Sequence, residues 1–337
     1  MKLIVQIPCF NEEETLPQTL SDIPRDIDGV DVVEILIIDD GSTDRTISVA
    51  KQHGVDHIVR HVCNRGLART FRTGIDACLK LGADIIVNTD GDNQYAGGDI
   101  PKLIEPILAG QAEFVIGDRQ TADVPHFSRS KKFMQYFGSS VVRQLSGTQI
   151  PDTVSGFRAL SRDAALSINV VSPFSYTIET IIQAGKKKIA LASVPIATNG
   201  KLRESRLFKS IPHFISRSVM TMLRMYSMYE PLRVFLYLSA ILLCLGAIPF
   251  VRFLYFFFTG DGAGHIQSLV FGGAFLTMGF VSLMIGIVAD IVSFNRQLLE
   301  ILLEKMREME TTTTNESGPT AQSPPSELFE RVPHDRD

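Results

Sequence analysis

Two long stretches without a charged residue constrain this chain more than any other feature of its sequence. Val234–Val251 covers 18 residues, and Ile266–Ala289 covers 24. A helix needs about 20 apolar residues to cross the hydrocarbon core of a bilayer, so each stretch predicts a membrane-spanning helix. The alternative is a helical hairpin buried inside a soluble protein. The lengths of both stretches favour the membrane, and we predict two transmembrane helices within residues 233–292.

The basic residues around the two stretches predict their orientation. The link Thr259–His265 contains no lysine or arginine, whereas basic residues lie on both outer sides of the pair: Arg217, Arg224 and Arg233 before it, and Arg296, Lys305 and Arg307 after it. By the positive-inside rule, the link lies outside and both flanks lie in the cytoplasm. We therefore expect a multi-pass protein of the cell membrane, with its N-terminal domain and both termini in the cytoplasm.

The first 118 residues alternate between short apolar runs and helical patterns. Strands that alternate with helices predict an α/β domain, with a parallel sheet covered by helices on both faces. We assign residues 1–207 to this domain. The four cysteines are scattered and the formal net charge is −4. The sequence therefore predicts neither a disulfide framework nor a surface for nucleic acid.

Acidic side chains follow three of the predicted strands. The segments are Pro8-Cys9-Phe10-Asn11-Glu12, Asp39-Asp40-Gly41-Ser42 and Asp90-Gly91-Asp92-Asn93-Gln94. The carboxyl ends of parallel strands share one edge, where α/β sheets bind their ligands. Ordinary strand-to-helix turns would also explain the first two segments. Asp39 and Asp40 have no evident role in such a turn, so we expect them to bind a ribose or a base.

The third segment carries oxygen donors of the kind that Mg²⁺ and Mn²⁺ prefer. Asp90 and Asp92 are two residues apart, directly after a buried strand. Mg²⁺ in proteins commonly bridges one or two carboxylates to the phosphates of a substrate. The segment therefore predicts a site for a divalent cation and a diphosphate.

Two amphipathic patterns precede the apolar stretches. Residues 127–145 and 208–232 combine apolar residues at helical spacing with lysines and arginines. Each fits a helix packed on the sheet or a helix at the membrane face, and we favour the interface for the pattern next to the spans. Residues 293–310 predict a charged cytoplasmic helix. The Thr-, Ser- and Pro-rich residues 311–337 predict a disordered tail.

Five motifs together resemble glycosyltransferase family 2, and within it the polyprenol-phosphate sugar synthases. They are Ile-Pro-Cys-Phe-Asn-Glu at 7–12, Asp-Asp-Gly-Ser-Thr-Asp at 39–44, Asp-Gly-Asp-Asn-Gln at 90–94, Gly-Asp-Arg at 117–119 and Ser-Gly-Phe-Arg at 155–158. The resemblance covers about residues 1–230 and the two spans. It implies a GT-A nucleotide-sugar-binding fold and an inverting transfer. Gly91 and Asn93 depart from the family pattern, but neither change removes an expected ligand.

The resemblance also implies roles for individual residues. The expected nucleotide-binding positions are Pro8, Asn11, Glu12, Asp39, Asp40 and Asp90, and the expected ligands of Mg²⁺ or Mn²⁺ are Asp90, Asp92 and Gln94. The expected catalytic residues are Asp92, Arg119 and Asp152. Basic contacts to the donor or to the acceptor phosphate are expected from Arg129, Arg158 and Arg203, with Lys131, Lys132 and Arg206 nearby. Simpler roles stay open: a surface position for Arg119, an ion pair for Arg158, and a solvated or membrane-binding role for the basic segments.

These observations predict an enzyme that moves one sugar from a UDP- or GDP-linked donor to dolichyl or undecaprenyl phosphate. A phosphate monoester is already largely ionised near neutral pH, so it needs no general base. The alternative is a hydroxyl acceptor, such as a glycolipid or polysaccharide, which would need a base such as Asp152. The sequence does not identify the sugar, the nucleotide or the metal, and it leaves open whether the chain forms a homo-oligomer.

Three other functions fit the sequence less well. Processive polysaccharide synthases hold their product with a Gln-x-x-Arg-Trp motif, and this chain has no tryptophan. Nucleotidyltransferases have a glycine-rich loop after the first strand, where this chain has Pro-Cys-Phe-Asn-Glu-Glu. A scaffold without activity would have no need of the acidic segment or of Arg119.

Overall fold

The computed structural model of the protein describes residues 1–120, 139–171, 176–200, 219–220, 224, 226–260, 262–317 and 327–332. They belong to two structural units. One unit comprises Met1–Met222 with Leu303–Asp337, and the other comprises Leu223–Leu302.

The first unit is built on an eight-stranded sheet. Its strands are β1 (Lys2–Cys9), β2 (Val32–Asp39), β3 (His57–His61), β4 (Ile85–Asn88), β5 (Phe114–Asp118), β6 (Arg158–Ser161), β7 (Leu191–Pro195) and β8 (Glu327–Arg331). They lie in the order β7-β5-β6-β4-β1-β2-β3-β8. β1 to β4 are parallel, as predicted, and so are β5 and β7.

The sheet is not parallel throughout, because it gains two antiparallel strands, β6 and β8, from beyond the first 118 residues. β6 is antiparallel to both β4 and β5, and β8 is antiparallel to β3. β6 begins opposite the last residue of β4, where Arg158 pairs with Asn88. Because β6 starts at the edge where β4 ends, it has to run in the opposite direction. The sheet is therefore mixed, and β6 starts at the edge that carries the acidic segments.

Helices cover both faces of this sheet. They are α1 (Leu16–Ser21), α2 (Thr46–Gln52), α3 (Leu67–Lys80), α4 (Ile100–Leu108), α5 (residues 139–146), α6 (Arg162–Ser167) and α7 (Tyr176–Lys187). On one face, Val5 of β1 shares a core with Leu16 of α1 and Leu103 of α4. On the other face, Gly74 of α3 lies against Gln6 of β1 and Ile38 of β2. Burial on both faces explains why the central strands read as continuous apolar runs.

The two predicted amphipathic segments are described only in part. Of residues 127–145, those from 139 onward form α5, which buries Ser139, Val142 and Ser146. These three positions lie on one face of a helix, so this part of the segment packs within the first unit. Of residues 208–232, those described between 219 and 229 are helical, and we label residues 226–229 α8.

The second unit contains both predicted spans. They are α9 (Pro231–Phe258) and the first part of α10, which begins at Ile266 after a short 3₁₀ turn, Gly262–His265. Both helices are long and apolar enough to cross a membrane. Small residues bring the two backbones close together. A Cβ atom on Gly246 would lie 2.8 Å from the amide nitrogen of Leu276, and the Ser239 hydroxyl donates to the carbonyl of Gly279 at 2.8 Å.

α10 differs from its prediction at its C-terminal end. It continues without a break to Ser317, whereas the sequence predicted a separate helix over 293–310. No glycine or proline occurs between Ile287 and Ser317, so nothing in the sequence interrupts the helix after the span. In the sequence, Gly318 and Pro319 follow directly, and both residue types are common just after the end of a helix.

The predicted disordered tail is wrong for residues 327–331, which form β8 at the open edge of β3. Phe329 stacks on His57 with ring centroids 5.9 Å apart, and Glu330 forms a 2.7 Å ion pair with Lys51. A composition rich in Ser, Thr and Pro does not reveal that β3 offers an unpaired edge to a short strand. Residues 327–331 could be assigned as a strand only from their pairing with β3.

One partly buried carboxylate links β1, β2 and β3 at the opposite end of the sheet. Glu34 of β2 lies 2.8 Å from Lys2 Nζ of β1 and 2.8 Å from His57 Nε2 of β3. Burial alone would raise the pKa of Glu34, but the hydrogen bonds from His57 and Lys2 outweigh it and lower this pKa from 4.5 to about 2. The ionised form of Glu34 therefore stabilises the folded state.

Replacing Glu34 with glutamine should destabilise the protein in a pH-dependent way. A lowered carboxyl pKa adds stability that is fully present above the unfolded value of 4.5 and is lost as the pH falls through about 2. We expect E34Q to lower the free energy of unfolding at pH 7 by at most about 3 kcal/mol. Urea unfolding of the full chain in detergent at pH 7, 4 and 2.5 measures this. A loss of the same size at all three values would contradict it.

Replacing Gly246 with valine should destabilise the helical hairpin, because the new side chain would meet the backbone of α10. Overpacking of this kind costs about 1–3 kcal/mol. The thermal midpoint of the full chain in a single detergent provides the measurement. Gly273→Val is the matched control, because a Cβ atom on Gly273 meets nothing within 4 Å. Equal effects of the two substitutions would refute the close approach at Gly246.

Candidate active site

The carboxyl ends of β1, β2 and β4 lie side by side, as the sequence predicted. Cys9 is opposite Asp39, and Gln6 is opposite Asn88. The three acidic segments follow these strand ends directly, so they meet at one edge of the sheet. Pro8 is buried within β1.

Asn11 connects the first two segments. Its backbone N–H donates to the Ser42 hydroxyl at 2.9 Å, and its side-chain oxygen accepts from the Thr43 N–H at 2.9 Å. Asn11 has a φ of 56°, a left-handed conformation that asparagine tolerates better than most residues. The structure therefore gives Asn11 a role in holding the two loops, and its predicted contact with the nucleotide stays a prediction.

Glu12 lies between the first and third segments. Its carboxylate accepts from the Thr15 hydroxyl at 2.8 Å, and the same hydroxyl lies 2.9 Å from the carbonyl of Gly91. A Cβ atom on Gly91 would lie 3.3 Å from Cγ of Glu12. Glu12 thus lies close to the Asp90-Gly91-Asp92 motif and adds a third negative charge there.

Asp39 and Asp40 have different surroundings, although both are buried. Asp40 accepts hydrogen bonds from the N–H groups of Arg65 and Gly66, each at 2.9 Å, and lies 2.7 Å from His61 Nδ1. Burial would raise the pKa of Asp40, but these bonds hold it below its ordinary value. Asp40 therefore fixes the loop before α3, and both of its carboxylate oxygens already accept hydrogen bonds within the protein.

Asp39 retains an acceptor that the described part of the protein does not use. Its Oδ1 accepts from the Ser42 N–H at 3.1 Å. Its Oδ2 is buried and receives no hydrogen bond from the described residues, with Arg60 Nε at 3.4 Å as a neighbouring charge. A buried carboxylate oxygen without a donor is costly. Asp39 is thus better suited than Asp40 to accept a hydrogen bond from a ligand.

Asp90 and Asp92 form the most acidic part of the site. Burial, together with the negative charges of Asp92 and Glu12, raises the pKa of Asp90 to about 7. Gln94 donates from its amide nitrogen to Asp92 Oδ2 at 2.7 Å, so its amide oxygen is the atom that could bind a cation. Within the described ranges, no three His, Cys, Asp or Glu side chains form a complete metal site. Two adjacent carboxylates and an amide oxygen suit a cation that takes its other ligands from a phosphate and from water.

Arg119, which is partly exposed, and Asp152, which is buried, form a bidentate ion pair. Arg119 Nε donates to Asp152 Oδ2 at 2.7 Å, and Nη2 donates to Oδ1 at 3.0 Å. Burial alone would lower the pKa of Arg119, but Tyr95 and Asp152 raise it above its ordinary value. Arg119 is therefore charged and held in a fixed orientation. Asp152, predicted as a catalytic residue, holds this arginine.

Arg158 is fully enclosed, and its predicted contact with a ligand finds no support in this geometry. Its Nε donates to the carbonyl of Ser155 at 2.7 Å and its Nη2 to that of Thr153 at 3.2 Å, while Nη1 bonds the Thr180 hydroxyl. Burial lowers the pKa of Arg158 to about 10. The simpler structural role that the sequence left open for Arg158 fits this environment.

A buried polar network behind Asp90 was not anticipated from the sequence. Gln6 donates to Asn88 at 2.9 Å, and Asn88 donates to the carbonyl of Gly156 at 2.8 Å and to the Tyr176 hydroxyl at 3.2 Å. The Tyr95 hydroxyl accepts from the Gly156 N–H at 2.8 Å. The sequence offered one signal, the polar Asn88 at the end of an apolar strand.

Two predicted ligand-binding arginines, Arg129 and Arg203, lie outside the described residues, as do Lys131, Lys132 and Arg206. Their roles stay predictions.

Comparison with known proteins identifies the family. The family model described as glycosyl transferase family 2 matches residues 4–168. An uncharacterised protein of Methanocaldococcus jannaschii is 32% identical over 205 residues, which cover 58% of this chain and 81% of that protein.

Two further relatives have named activities. The UDP-N-acetylglucosamine–dolichyl-phosphate N-acetylglucosaminyltransferase of Methanococcus voltae is 29% identical, over 57% of this chain and 83% of the relative. The undecaprenyl-phosphate mannosyltransferase of Micrococcus luteus is 26% identical, over 61% of this chain and 88% of the relative.

A solved structure shares the fold. Glucosyl-3-phosphoglycerate synthase from Mycobacterium tuberculosis, in complex with Mn²⁺, UDP-glucose and phosphoglyceric acid, superimposes with a TM-score of 0.52 at 20% identity. The match covers 67% of this chain and 80% of that one. The GT-A architecture expected from the sequence is thereby confirmed. The chain belongs to glycosyl transferase family 2 and is a glycosyltransferase.

Proposed function

We propose that this enzyme transfers one sugar, with inversion, from a UDP- or GDP-linked donor to a polyprenyl phosphate at the cytoplasmic face of the membrane. The observation that carries the proposal is the convergence of Glu12, Asp90 and Asp92 at one sheet edge in a chain with two helices able to cross a membrane. The named relatives act on dolichyl or undecaprenyl phosphate, which supports the same acceptor here.

The nucleoside half of the donor would lie beside Asp39. The imide N–H of uracil and the N1–H of guanine are donors that suit the buried Oδ2 of Asp39. Asp40 supports this contact indirectly, because it fixes the neighbouring backbone at Arg65 and Gly66. Asn11 and Glu12 complete the loops on the opposite side.

Asp90, Asp92 and Gln94 would hold Mg²⁺ or Mn²⁺. Such a cation, when bound, offsets the negative charge that develops on the departing diphosphate. Arg119 contributes a fixed positive charge on the same side of the site, and Asp152 keeps its guanidinium oriented. A preorganised charge of this kind stabilises a transition state without rearrangement.

The acceptor is better explained as a phosphate than as a hydroxyl. A hydroxyl acceptor needs a general base, and the candidate predicted from the sequence was Asp152. Both oxygens of Asp152 accept hydrogen bonds from Arg119. A phosphate monoester is ionised near neutral pH and can attack the anomeric carbon without such a base.

The two apolar helices support a location in the cell membrane. The positive-inside pattern supports a multi-pass arrangement with the catalytic unit and both termini in the cytoplasm. Nucleotide sugars are water-soluble, and this arrangement would bring them together with a lipid phosphate.

The proposal predicts formation of a lipid-linked sugar by the purified full chain. The assay combines polyprenyl phosphate, Mg²⁺ or Mn²⁺ and a panel of UDP- and GDP-sugars in detergent, with the product followed by mass spectrometry. Asp92→Ala should reduce the rate at least about 100-fold, because it removes a cation ligand that acts on the transition state.

The same panel separates the parts of the proposal. If no donor gives a product, the polyprenyl-phosphate assignment fails. If product forms only on a glycolipid hydroxyl, the alternative acceptor is favoured. NMR of the anomeric proton in donor and product tests inversion, and a retained configuration excludes it. Gln18→Ala, at an exposed position of α1, is the control that should keep the parental rate.

Asp39 and Asp40 should respond differently to replacement by asparagine. In Asp39→Asn, an amide replaces the acceptor for the base, so we expect about tenfold or greater loss of nucleotide affinity and little change in thermal midpoint. Asp40→Asn should mainly lower the thermal midpoint, because Asp40 accepts bonds from Arg65, Gly66 and His61. Calorimetric titration with UDP and GDP, with thermal unfolding, distinguishes the two. If Asp39→Asn binds UDP and GDP as tightly as the parent, Asp39 does not contact the nucleotide.

A further inference from the structure

Gly156 is held on both sides of its backbone. Its N–H donates to the Tyr95 hydroxyl at 2.8 Å, and its carbonyl accepts from Asn88 Nδ2 at 2.8 Å. The next residue, Phe157, stacks on Tyr95 with ring centroids 5.3 Å apart. Gly156 therefore has little freedom to move away from its neighbours.

The side of Gly156 that lacks a side chain faces Asp90. A Cβ atom at this position would lie 3.0 Å from Asp90 Oδ2, 3.2 Å from Asp90 Oδ1 and 3.0 Å from the Tyr176 hydroxyl. The backbone of Gly156 does not adopt the left-handed conformation that favours glycine. The available space, rather than the backbone conformation, therefore explains the glycine.

Of the two neighbours, Asp90 is the one able to shift. The ring of Tyr176 is buried and stacks on Phe71 at 4.1 Å between centroids, and its hydroxyl accepts from Asn88. Asp90 is partly exposed at the edge of the sheet and is repelled by Asp92 and Glu12. An added methyl group would therefore displace the Asp90 carboxylate by a few tenths of an ångström.

We propose that Gly156 is a positioning residue for the cation site, because the loop that contains it sets where the Asp90 carboxylate can lie. The inference rests on the proposed binding of Mg²⁺ or Mn²⁺ by Asp90 and Asp92. Metal–oxygen distances in functional sites vary by only about 0.2 Å, so a displacement of this size matters. The same short loop contains Asp152, which orients Arg119. One segment would thus place both the cation ligand and the arginine.

The test is Mn²⁺ affinity of the full-length Gly156→Ala variant, measured in detergent by the EPR signal of free Mn²⁺, with and without UDP. We expect a dissociation constant about tenfold or more above that of the parent, with a metal-free thermal midpoint close to the parent's. Gly98→Ala is the matched control, because a Cβ atom on Gly98 meets nothing within 4 Å. Parental Mn²⁺ affinity in Gly156→Ala would overturn the proposal.

Two further variants cover the other outcomes. Tyr176→Phe removes the second neighbour and should keep parental Mn²⁺ affinity; a loss as large as that of Gly156→Ala would assign the effect to the hydroxyl and overturn the proposal. If Gly156→Ala does not fold, Tyr95→Phe releases the N–H of Gly156 without adding atoms. We then expect a severalfold weaker affinity, and parental affinity would overturn the proposal.

These binding measurements need no acceptor. A parent that binds Mn²⁺ but forms no lipid-linked sugar would defeat the proposed acceptor and leave the role of Gly156 standing. A parent that binds no Mn²⁺, with or without UDP, would defeat both the cation site and this inference.

Discussion

The repulsion among carboxylates at one edge of the sheet is the constraint on which the rest of the site depends. Glu12, Asp90 and Asp92 come together because β1 and β4 are parallel neighbours whose carboxyl ends lie at the same edge of the sheet. Burial and the two neighbouring charges raise the pKa of Asp90 to about 7. Such an arrangement opposes folding unless positive charge is supplied close by. The protein supplies part of it through arginines, and the remainder is what a divalent cation would provide.

The two arginines near Asp90 serve different purposes. Arg158 is fully buried, bonded to two backbone carbonyls and a threonine hydroxyl, and has a pKa lowered by burial. Its contacts are those of a residue that stabilises the fold. Arg119 is one-fifth exposed and pairs with Asp152. Its remaining N–H groups are therefore the ones that a phosphate could reach, so the ion pair with Asp152 fixes its orientation without using all of its donors.

Sequence patterns predicted that the three acidic loops meet at one sheet edge, but they did not reveal which protein groups surround each residue there. Acidic residues after apolar strands were enough to predict that three loops meet, since parallel strands end on one side. The roles of Asp39 and Asp40 could not be separated, because the difference comes from the distant backbone N–H groups of Arg65 and Gly66. Arg158 lies in a motif with the expected residue types, but its side chain is fully buried and bonded within the protein, on a strand whose pairing with β4 and β5 the sequence did not reveal. The strand β8 could not be predicted from the sequence either, because it forms by pairing with the free edge of β3.

The ion pair between Arg119 and Asp152 also bears on which acceptor the enzyme uses. Separating this pair to free Asp152 as a base would leave the buried Asp152 carboxylate without its partner, at a cost of several kcal/mol. That cost would be added to the barrier of any transfer to a hydroxyl group. An acceptor that arrives already ionised avoids it and can use the positive charge of Arg119 directly. Phosphate carried by a membrane lipid meets that requirement, and the chain has two helices that are long and apolar enough to enter the phase in which such a lipid resides.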